Sequence, residues 1–174
     1  LRPHAKTHKT REIARMQRRC GATGITVAKL GEAEVMVREG IPDILIAYPI
    51  VGQTKLERLG ELSKKARITV ATDSLEVAEG ISRTAQSAGT TVSLLAEMDV
   101  GMRRCGVQSP DELAELATNM ARLPNVAFLG LMFYPGHIRV SPPDQIPLLE
   151  RIDAQVREAQ ETLHRSGIET RIVS

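Results

Sequence analysis

Two histidines and two lysines lie within six residues near the start of the chain: His4, Lys6, His8 and Lys9. A lysine amine can form an imine with a cofactor aldehyde and later exchange it for the amine of a substrate. An ordinary lysine is protonated at neutral pH, so a nucleophilic lysine needs burial or neighbouring cations to lower its pKa. The two histidines and Lys9 could supply such cations to Lys6. The same residues are also compatible with a basic, solvated N-terminal segment.

The two lysines of this segment can be separated by strand geometry. Pro3 favours an extended entry, and side chains alternate between the two faces of an extended chain. Arg2, His4 and Lys6 therefore share one face. We expect Lys6 to end a first strand and to point with His4 into the interior of the fold, whereas Lys9 turns away as the chain enters a helix.

A second candidate region is the stretch Ala96–Val107, in which two glycines flank the adjacent arginines Arg103 and Arg104. Gly101 and Gly106 permit tight backbone turns. An arginine fixed in such a loop could donate hydrogen bonds to an anionic group of a ligand. The sequence favours a solvated side chain for Arg103.

A third candidate region is Phe133–His137 (FYPGH). The hydroxyl of Tyr134 could donate a hydrogen bond, and a neutral His137 imidazole could lie against a planar ring. Either side chain could instead be satisfied locally in a loop. The histidines of the chain show no spacing typical of metal ligands, so no metal site is predicted from these residues.

Composition excludes several classes of function. The net charge of +2, with both signs mixed along the chain, and an aromatic content of 2% argue against binding to nucleic acid or to a membrane surface. No apolar run is long enough to span a bilayer, and no signal peptide is evident. Cys20 and Cys105 do not suggest a disulfide framework, so a reducing cytoplasm is the expected location. Cys105 is predicted to be a small buried packing residue.

Strand-like and helix-like segments alternate strictly along the chain. Strands are predicted up to residue 6 and at 24–29, 43–47, 67–72, 91–97, 125–132 and 169–173, and helices at about 11–19, 31–40, 55–65, 74–87, 110–120 and 144–165. Two helix starts carry capping signals: Asp73 with Glu76 resembles a capping box, and Ser109 precedes Pro110. Such alternation indicates an α/β fold with a parallel sheet.

Two architectures fit this alternation: a (β/α)8 TIM barrel that lacks its last unit, or an open doubly wound sheet. No G-x-G-x-x-G motif follows a strand, which favours the barrel. In a barrel, active sites form at the carboxyl ends of the strands. Polar residues indeed follow the predicted strands there: Lys6, Lys29, Tyr48, Asp99, Arg104, Tyr134, His137 and Ser174.

Three motifs together resemble one family: Arg2–Lys9 (RPHAKTHK), Asp99–Gly106 (DVGMRRCG) and Tyr134–His137 (YPGH). They are similar to the D-threonine aldolase and D-serine dehydratase family of alanine-racemase-like, fold-type III enzymes that use pyridoxal 5′-phosphate (PLP). The resemblance implies that Lys6 is the Schiff-base lysine and that Arg104 contacts the phenolic oxygen of PLP. Tyr134 and His137 would lie beside the cofactor ring, and Ser174 would open the phosphate-binding segment.

The resemblance also implies an activity and a domain organisation. Residues 1–174 would be a partial PLP-binding barrel domain of the alanine racemase N-terminal type, cut at both ends, and the full protein would add a C-terminal β-domain with a divalent-metal site whose ligands are not in this chain. The expected activity is a PLP-dependent lyase acting on 3-hydroxy-D-amino acids in a homodimer, with Lys6 and His137 as catalytic residues. Aldolase is preferred, and D-serine dehydratase or amino-acid racemase are the alternatives. Two alternatives come from other functional classes: a non-catalytic PLP-binding protein, and a barrel fragment without function.

Overall fold

The computed structural model describes all 174 residues, as six helices and six strands that alternate along the chain. The helices are α1 (Arg11–Arg19), α2 (Leu30–Arg38), α3 (Gln53–Ser63), α4 (Leu75–Ala88), α5 (Pro110–Ala121) and α6 (Pro142–Arg165). The strands are β1 (Ile25–Val27), β2 (Asp43–Ile46), β3 (Arg67–Thr72), β4 (Val92–Glu97), β5 (Val126–Met132) and β6 (Ile172–Val173).

The strands form one parallel sheet in the order β1-β2-β3-β4-β5-β6. Each strand therefore pairs with the next along the chain, which is barrel topology and excludes the order reversal of a doubly wound sheet. The fold is a parallel half-barrel, consistent with the incomplete TIM barrel that the sequence predicts.

The N-terminal segment extends this sheet beyond β1 but forms less strand than predicted. His4 makes a single parallel bridge with Thr26. The N–H of Ala5 donates to the Thr26 carbonyl at 2.8 Å, and the Thr26 N–H donates to the Pro3 carbonyl at 2.9 Å. Lys6 lies in the turn that follows this bridge and not at the end of a full strand.

The two faces of the sheet have different neighbours. The outward face packs against the helices in the main hydrophobic core, where β-branched and aliphatic side chains such as Ile25, Ile44, Val70 and Leu94 are fully buried. The inward face carries a smaller apolar cluster, Leu45, Ala71, Leu95 and Met132. Because successive side chains alternate, the inward face continues from these residues to the polar groups at the carboxyl ends of the strands.

One predicted helix cap is wrong. The N-cap of α4 is Ser74, whose Oγ accepts a hydrogen bond from the Val77 N–H at 3.3 Å. Asp73 instead accepts a hydrogen bond from the Gly106 N–H at 2.7 Å. Aspartate and serine are both good N-caps, so the sequence alone could not choose between neighbours. At α5 the predicted cap is confirmed, since Ser109 Oγ accepts from the Glu112 N–H at 3.2 Å.

Candidate functional site

A cavity of about 730 Å³ opens on the inward face at the carboxyl ends of the strands. Its volume lies within the range of small-molecule sites. Its floor is apolar, with Leu45, Ala47 and Met132. Its polar lining comes from every part of the sheet: Arg2, His4, Lys6, Tyr48, Asp73, Glu97, Arg104, Cys105, Tyr134 and Ser174.

The N-terminal segment directs Lys6 into this cavity. Arg2, His4 and Lys6 all line it, which confirms the predicted alternation of side chains. A turn closed by the Lys9 N–H and the Ala5 carbonyl, at 2.8 Å, follows Lys6. Lys9 adopts a left-handed backbone with φ of 51° and pairs with Glu32 at 3.2 Å, outside the cavity.

His4 stands beside Lys6 on the cavity wall. Its Nδ1 accepts a hydrogen bond from the Lys6 N–H at 3.2 Å, so the ring is held close to the lysine. Burial lowers the pKa of His4, and the nearby positive charge of Lys6 lowers it further. The lowered pKa favours a neutral His4, so the cations on this side of the cavity are Lys6 and Arg2, of which Arg2 is paired with Asp43.

The loop after β4 is organised by Asp99. Its Oδ1 accepts hydrogen bonds from the N–H groups of Gly101, at 2.8 Å, and Arg103, at 3.1 Å. Burial alone would raise the pKa of Asp99, but these backbone donors outweigh it and the pKa is lowered. Arg103 takes a left-handed φ of 54° and its side chain is solvent-exposed, as predicted.

Gly106 closes this loop where no other residue would fit. Its φ is +105°, and a Cβ atom placed on it would collide with the backbone of Met98 and Asp99. Its N–H donates to Asp73 Oδ2 at 2.7 Å. The sequence predicts a turn at this glycine, and the structure shows that the turn joins the loop to the end of β3.

Arg104 is carried by this loop to the ring of Tyr134. The Arg104 guanidinium carbon lies 5.3 Å from the ring centroid, and Lys6 Nζ lies 5.1 Å from the same centroid. Both distances are within the range of cation–π attraction. The three sequence motifs thus meet at one aromatic ring.

Behind Arg104 is a buried carboxyl group. Glu97, at the end of β4, is 3% exposed, and its Oε1 accepts a hydrogen bond from Cys105 Sγ at 2.9 Å. Arg104 Nε donates to the same sulfur at 3.4 Å. Burial raises the pKa of Glu97, and the neighbouring Asp73 and Asp99 raise it further, against the Cys105 hydrogen bond and the charge of Arg104.

The remaining predicted residues divide between two places. Ser174 lines the cavity, where its carbonyl accepts from the Phe133 N–H at 2.9 Å. Tyr134 packs over Gly136, which leaves no room for a Cβ atom there. His137 is exposed and lies so close to Gly101 that a Cβ atom on this glycine would be 3.1 Å from the histidine Nε2. The structure therefore brings together Lys6, Arg104, Tyr134 and Ser174, and leaves His137 outside the cavity wall.

Glu97, Asp73 and Cys105 are the site residues that sequence reasoning missed or misplaced. Glu97 follows Leu95 by two positions on a buried strand, so the period-two pattern places an acid on the inward face at the carboxyl end. That signal is present in the sequence. Cys105, predicted to be a buried packing residue, is half-buried, lines the cavity and bonds Glu97.

A second cavity, of about 740 Å³, lies beside the first and is lined by α2 and by Lys9, Lys29 and Lys55. Lys29, one of the predicted rim residues, faces this second cavity and not Lys6. No group of three or more His, Cys, Asp or Glu side chains is placed to hold a metal ion. None of the helices is both long enough and apolar enough to cross a lipid bilayer.

Comparisons with known proteins identify the family to which the chain is similar. The family described as alanine racemase, N-terminal domain, matches residues 2–174. The chain is 42% identical over 139 residues to a D-threonine aldolase from Arthrobacter sp., which covers 80% of this chain and 37% of that protein. It is 33% identical over 177 residues to a 3-hydroxy-D-aspartate aldolase from Paracoccus denitrificans (strain Pd 1222), which covers 99% of this chain and 46% of that protein.

Among solved structures, the crystal structure of D-threonine aldolase from Filomicrobium marinum superposes with a TM-score of 0.95 at 36% identity. The match covers 99% of this chain and 47% of that chain. The chain therefore spans about half the length of this relative, and less than half of the curated aldolases that it matches.

Proposed function

Because the chain belongs to the alanine racemase N-terminal domain family, we propose that residues 1–174 form the PLP-binding part of a lyase that acts on 3-hydroxy-D-amino acids. D-Threonine aldolase, the retro-aldol cleavage to glycine and an aldehyde, is the activity we favour. The observation that carries the proposal is the convergence of Lys6 and Arg104 on the ring of Tyr134 in one cavity. The aldolases among the relatives support the choice of reaction.

The residues present fit PLP. The cavity has room for a small aromatic cofactor, and a primary amine, a guanidinium and a phenol ring line it at the carboxyl ends of the strands. The side chain of Arg104 makes one hydrogen bond to the protein, through Nε, so its two Nη groups remain available to an anionic oxygen. When bound, PLP supplies the electron sink that allows a bond at the α carbon of the substrate to break.

Each residue then has a defined task. Lys6 would hold the cofactor through its amine, next to His4, whose lowered pKa favours a neutral ring. Arg104 would donate to the phenolic oxygen and favour its ionised form. Tyr134 would lie beside the cofactor ring, and Ser174 would open the segment that receives the phosphate. His137 is proposed to act beside the ring as well, although that role requires its side chain to leave Gly101.

The assay of the full coding sequence tests the reaction. The protein is reconstituted with PLP and a divalent metal and given D-threonine or D-serine, with the L-enantiomers as matched controls. Formation of glycine and acetaldehyde from D-threonine, and not from L-threonine, would support the aldolase. Pyruvate and ammonia from D-serine would favour the dehydratase, and interconversion of enantiomers without cleavage would indicate a racemase.

A PLP-binding protein without turnover is the candidate from another class. It would retain a reducible PLP–lysine linkage and yet give none of these products. A chain without function would show neither the linkage nor the products. The absorbance of bound PLP after desalting separates these two outcomes before any substrate is added.

The metal and the assembly are part of the same proposal. We propose that a divalent metal activates the substrate hydroxyl, with ligands other than the residues described above, and that the protein is a homodimer. Loss of lyase activity with a chelator, while the PLP absorbance stays unchanged, would support a separate metal site. Light scattering at several concentrations measures the oligomeric state.

A further inference from the structure

Glu97 is a buried acid for which the proposed reaction has no direct use. It is 3% exposed, on the inward face at the end of β4, and its side-chain hydrogen bond goes to neither Lys6 nor Tyr134. A buried carboxyl group is costly unless it is hydrogen-bonded, and the only side-chain donor to this one is the thiol of Cys105, at 2.9 Å. Within the protein, the Glu97 side chain is therefore connected to the rest of the site through Cys105.

Cys105 is hydrogen-bonded to the neighbouring arginine as well as to Glu97. Its sulfur donates to Glu97 and accepts from Arg104 Nε, at 3.4 Å, so the three groups form a chain with a single direction. A sulfur that donates a hydrogen bond becomes a better acceptor, because bonds in a chain polarise one another. The contact occupies the Nε edge of the guanidinium and leaves its two Nη groups directed elsewhere.

The backbone of Glu97 holds the same loop from below. Its carbonyl accepts a hydrogen bond from the Val107 N–H at 2.9 Å, next to the parallel bridge between Met98 and Val107. One residue thus fixes the base of the loop through its backbone and the middle of the loop through its side chain. The part of the loop between these two attachments is the part that carries Arg104.

We propose that Glu97 and Cys105 are positioning residues: together they form a hydrogen-bonded chain that orients Arg104 towards the phenolic oxygen of bound PLP. This inference rests on the proposed function, and it adds two residues to the machinery that the sequence motifs identify. The groups that face Glu97 are Asp73 from the loop after β3, and Asp99, Arg104 and Cys105 from the loop after β4. Arg104 is the only cation among them, and Cys105 connects it to the carboxyl group of Glu97.

A double-mutant cycle tests the chain. PLP binding to the apoprotein is measured by absorbance for Cys105→Ala, Arg104→Ala and the double variant, with Cys20→Ala, an exposed cysteine, as the control. Cys105→Ala is expected to weaken binding roughly tenfold, the size of one hydrogen bond to a charged group, and to add nothing in the Arg104→Ala background. Equal losses in both backgrounds would overturn the proposal.

The conservative variant separates orientation from packing. Serine can donate to Glu97 and accept from Arg104 in the same order, so Cys105→Ser is expected to keep most of the PLP affinity and the same pH dependence of the cofactor absorbance. If serine is as damaging as alanine, the sulfur only fills space and the chain does not exist.

A thiol readout keeps the inference testable apart from the cofactor. Burial and the hydrogen bond to Glu97 raise the pKa of Cys105, whereas Arg104 lowers it. In the apoprotein, Glu97→Gln should therefore speed alkylation of Cys105 by iodoacetamide and Arg104→Ala should slow it, with Cys20 unchanged as the internal standard. If the wild type binds no PLP, the proposed function fails, but opposite shifts in these rates would still show the chain. Rates at Cys105 that do not respond would refute it.

Discussion

Two carboxyl groups are almost completely buried on the inward face of the sheet, at opposite ends of the strands. Asp43, at the start of β2, is 2% exposed, and Glu97, at the end of β4, is 3% exposed. Asp43 accepts hydrogen bonds from Arg2, at 2.8 and 3.2 Å, and from Arg67, at 3.0 Å. The side chain of Glu97 accepts one hydrogen bond, from the thiol of Cys105.

The two ends of the sheet differ in how they treat a buried acid. At the amino end, a carboxylate is fully paired with arginines, and it joins the N-terminal segment to β2 and β3. At the carboxyl end, an acid is left among other acids, and the one nearby guanidinium faces the cavity. Barrel proteins commonly place stability at the first end and chemistry at the second. The predictions that follow separate these two roles.

The largest expected effect is on stability, at Asp43. Asp43→Ala removes both arginine contacts and should lower the free energy of unfolding by about 2–3 kcal/mol, since Arg2 and Arg67 are partly solvated and keep some hydration. Urea denaturation measures the change. Asp153→Ala, which removes an exposed helical pair with Arg157, is the control and should cost less than about 0.5 kcal/mol. Equal losses for both variants would abolish the contrast between the two ends.

The next effect is on ligand binding, at the arginine pair. Arg104→Ala should weaken PLP binding by about 2 kcal/mol and shift the absorbance of the bound cofactor, because a charge-assisted donor to the phenolic oxygen is lost. Arg103→Ala is the matched control, since Arg103 lies on the same loop and does not line the cavity. Equilibrium titration with PLP gives both values. If the two variants behave alike, the register of the motif has been assigned wrongly.

The smallest effect is a dependence of stability on pH, at Glu97. Its raised pKa means that the folded state holds the proton more tightly than the unfolded state, so ionised Glu97 costs stability as the pH rises through the raised value. Glu97→Gln removes this cost. We expect the melting temperature of the variant, relative to that of the wild type, to increase as the pH rises from 5 to 8. Glu115→Gln, an exposed change on α5, is the control. A constant difference across the range would contradict the account.

Much of the fold could be predicted from the sequence because the apolar strand runs and the glycines at helix ends indicate the same alternation of elements. Buried strands such as Asp43–Ile46 and Val92–Glu97 are short apolar runs, and glycines such as Gly89 end the helices between them. Helix α1 spans Arg11–Arg19, in agreement with the approximate range that the sequence predicts. The N-terminal strand was overestimated, because pairing with β1 stops after His4 and the backbone turns at once.

The site was predictable where a motif carried it and not where tertiary contacts did. The sequence separates Lys6 from Lys9 correctly, and in the structure the turn closed by the Lys9 N–H and the Ala5 carbonyl directs Lys9 away. The link between Asp73 and Gly106 joins residues 33 positions apart, and no local pattern reports it. His137 shows the reverse: its motif placed it beside a ring, yet the loop packs its imidazole on Gly101.

The most direct test of the central claim is the identity of the lysine that holds the cofactor. The protein is incubated with PLP, reduced with borohydride to fix the cofactor to its lysine, digested and mapped by mass spectrometry. Lys9 and Lys29 serve as internal controls, because both line the neighbouring cavity and neither lines the cavity with Arg104 and Tyr134. We expect the label on Lys6. A label on Lys9 or Lys29, with Lys6 unmodified, would contradict the assignment of the site.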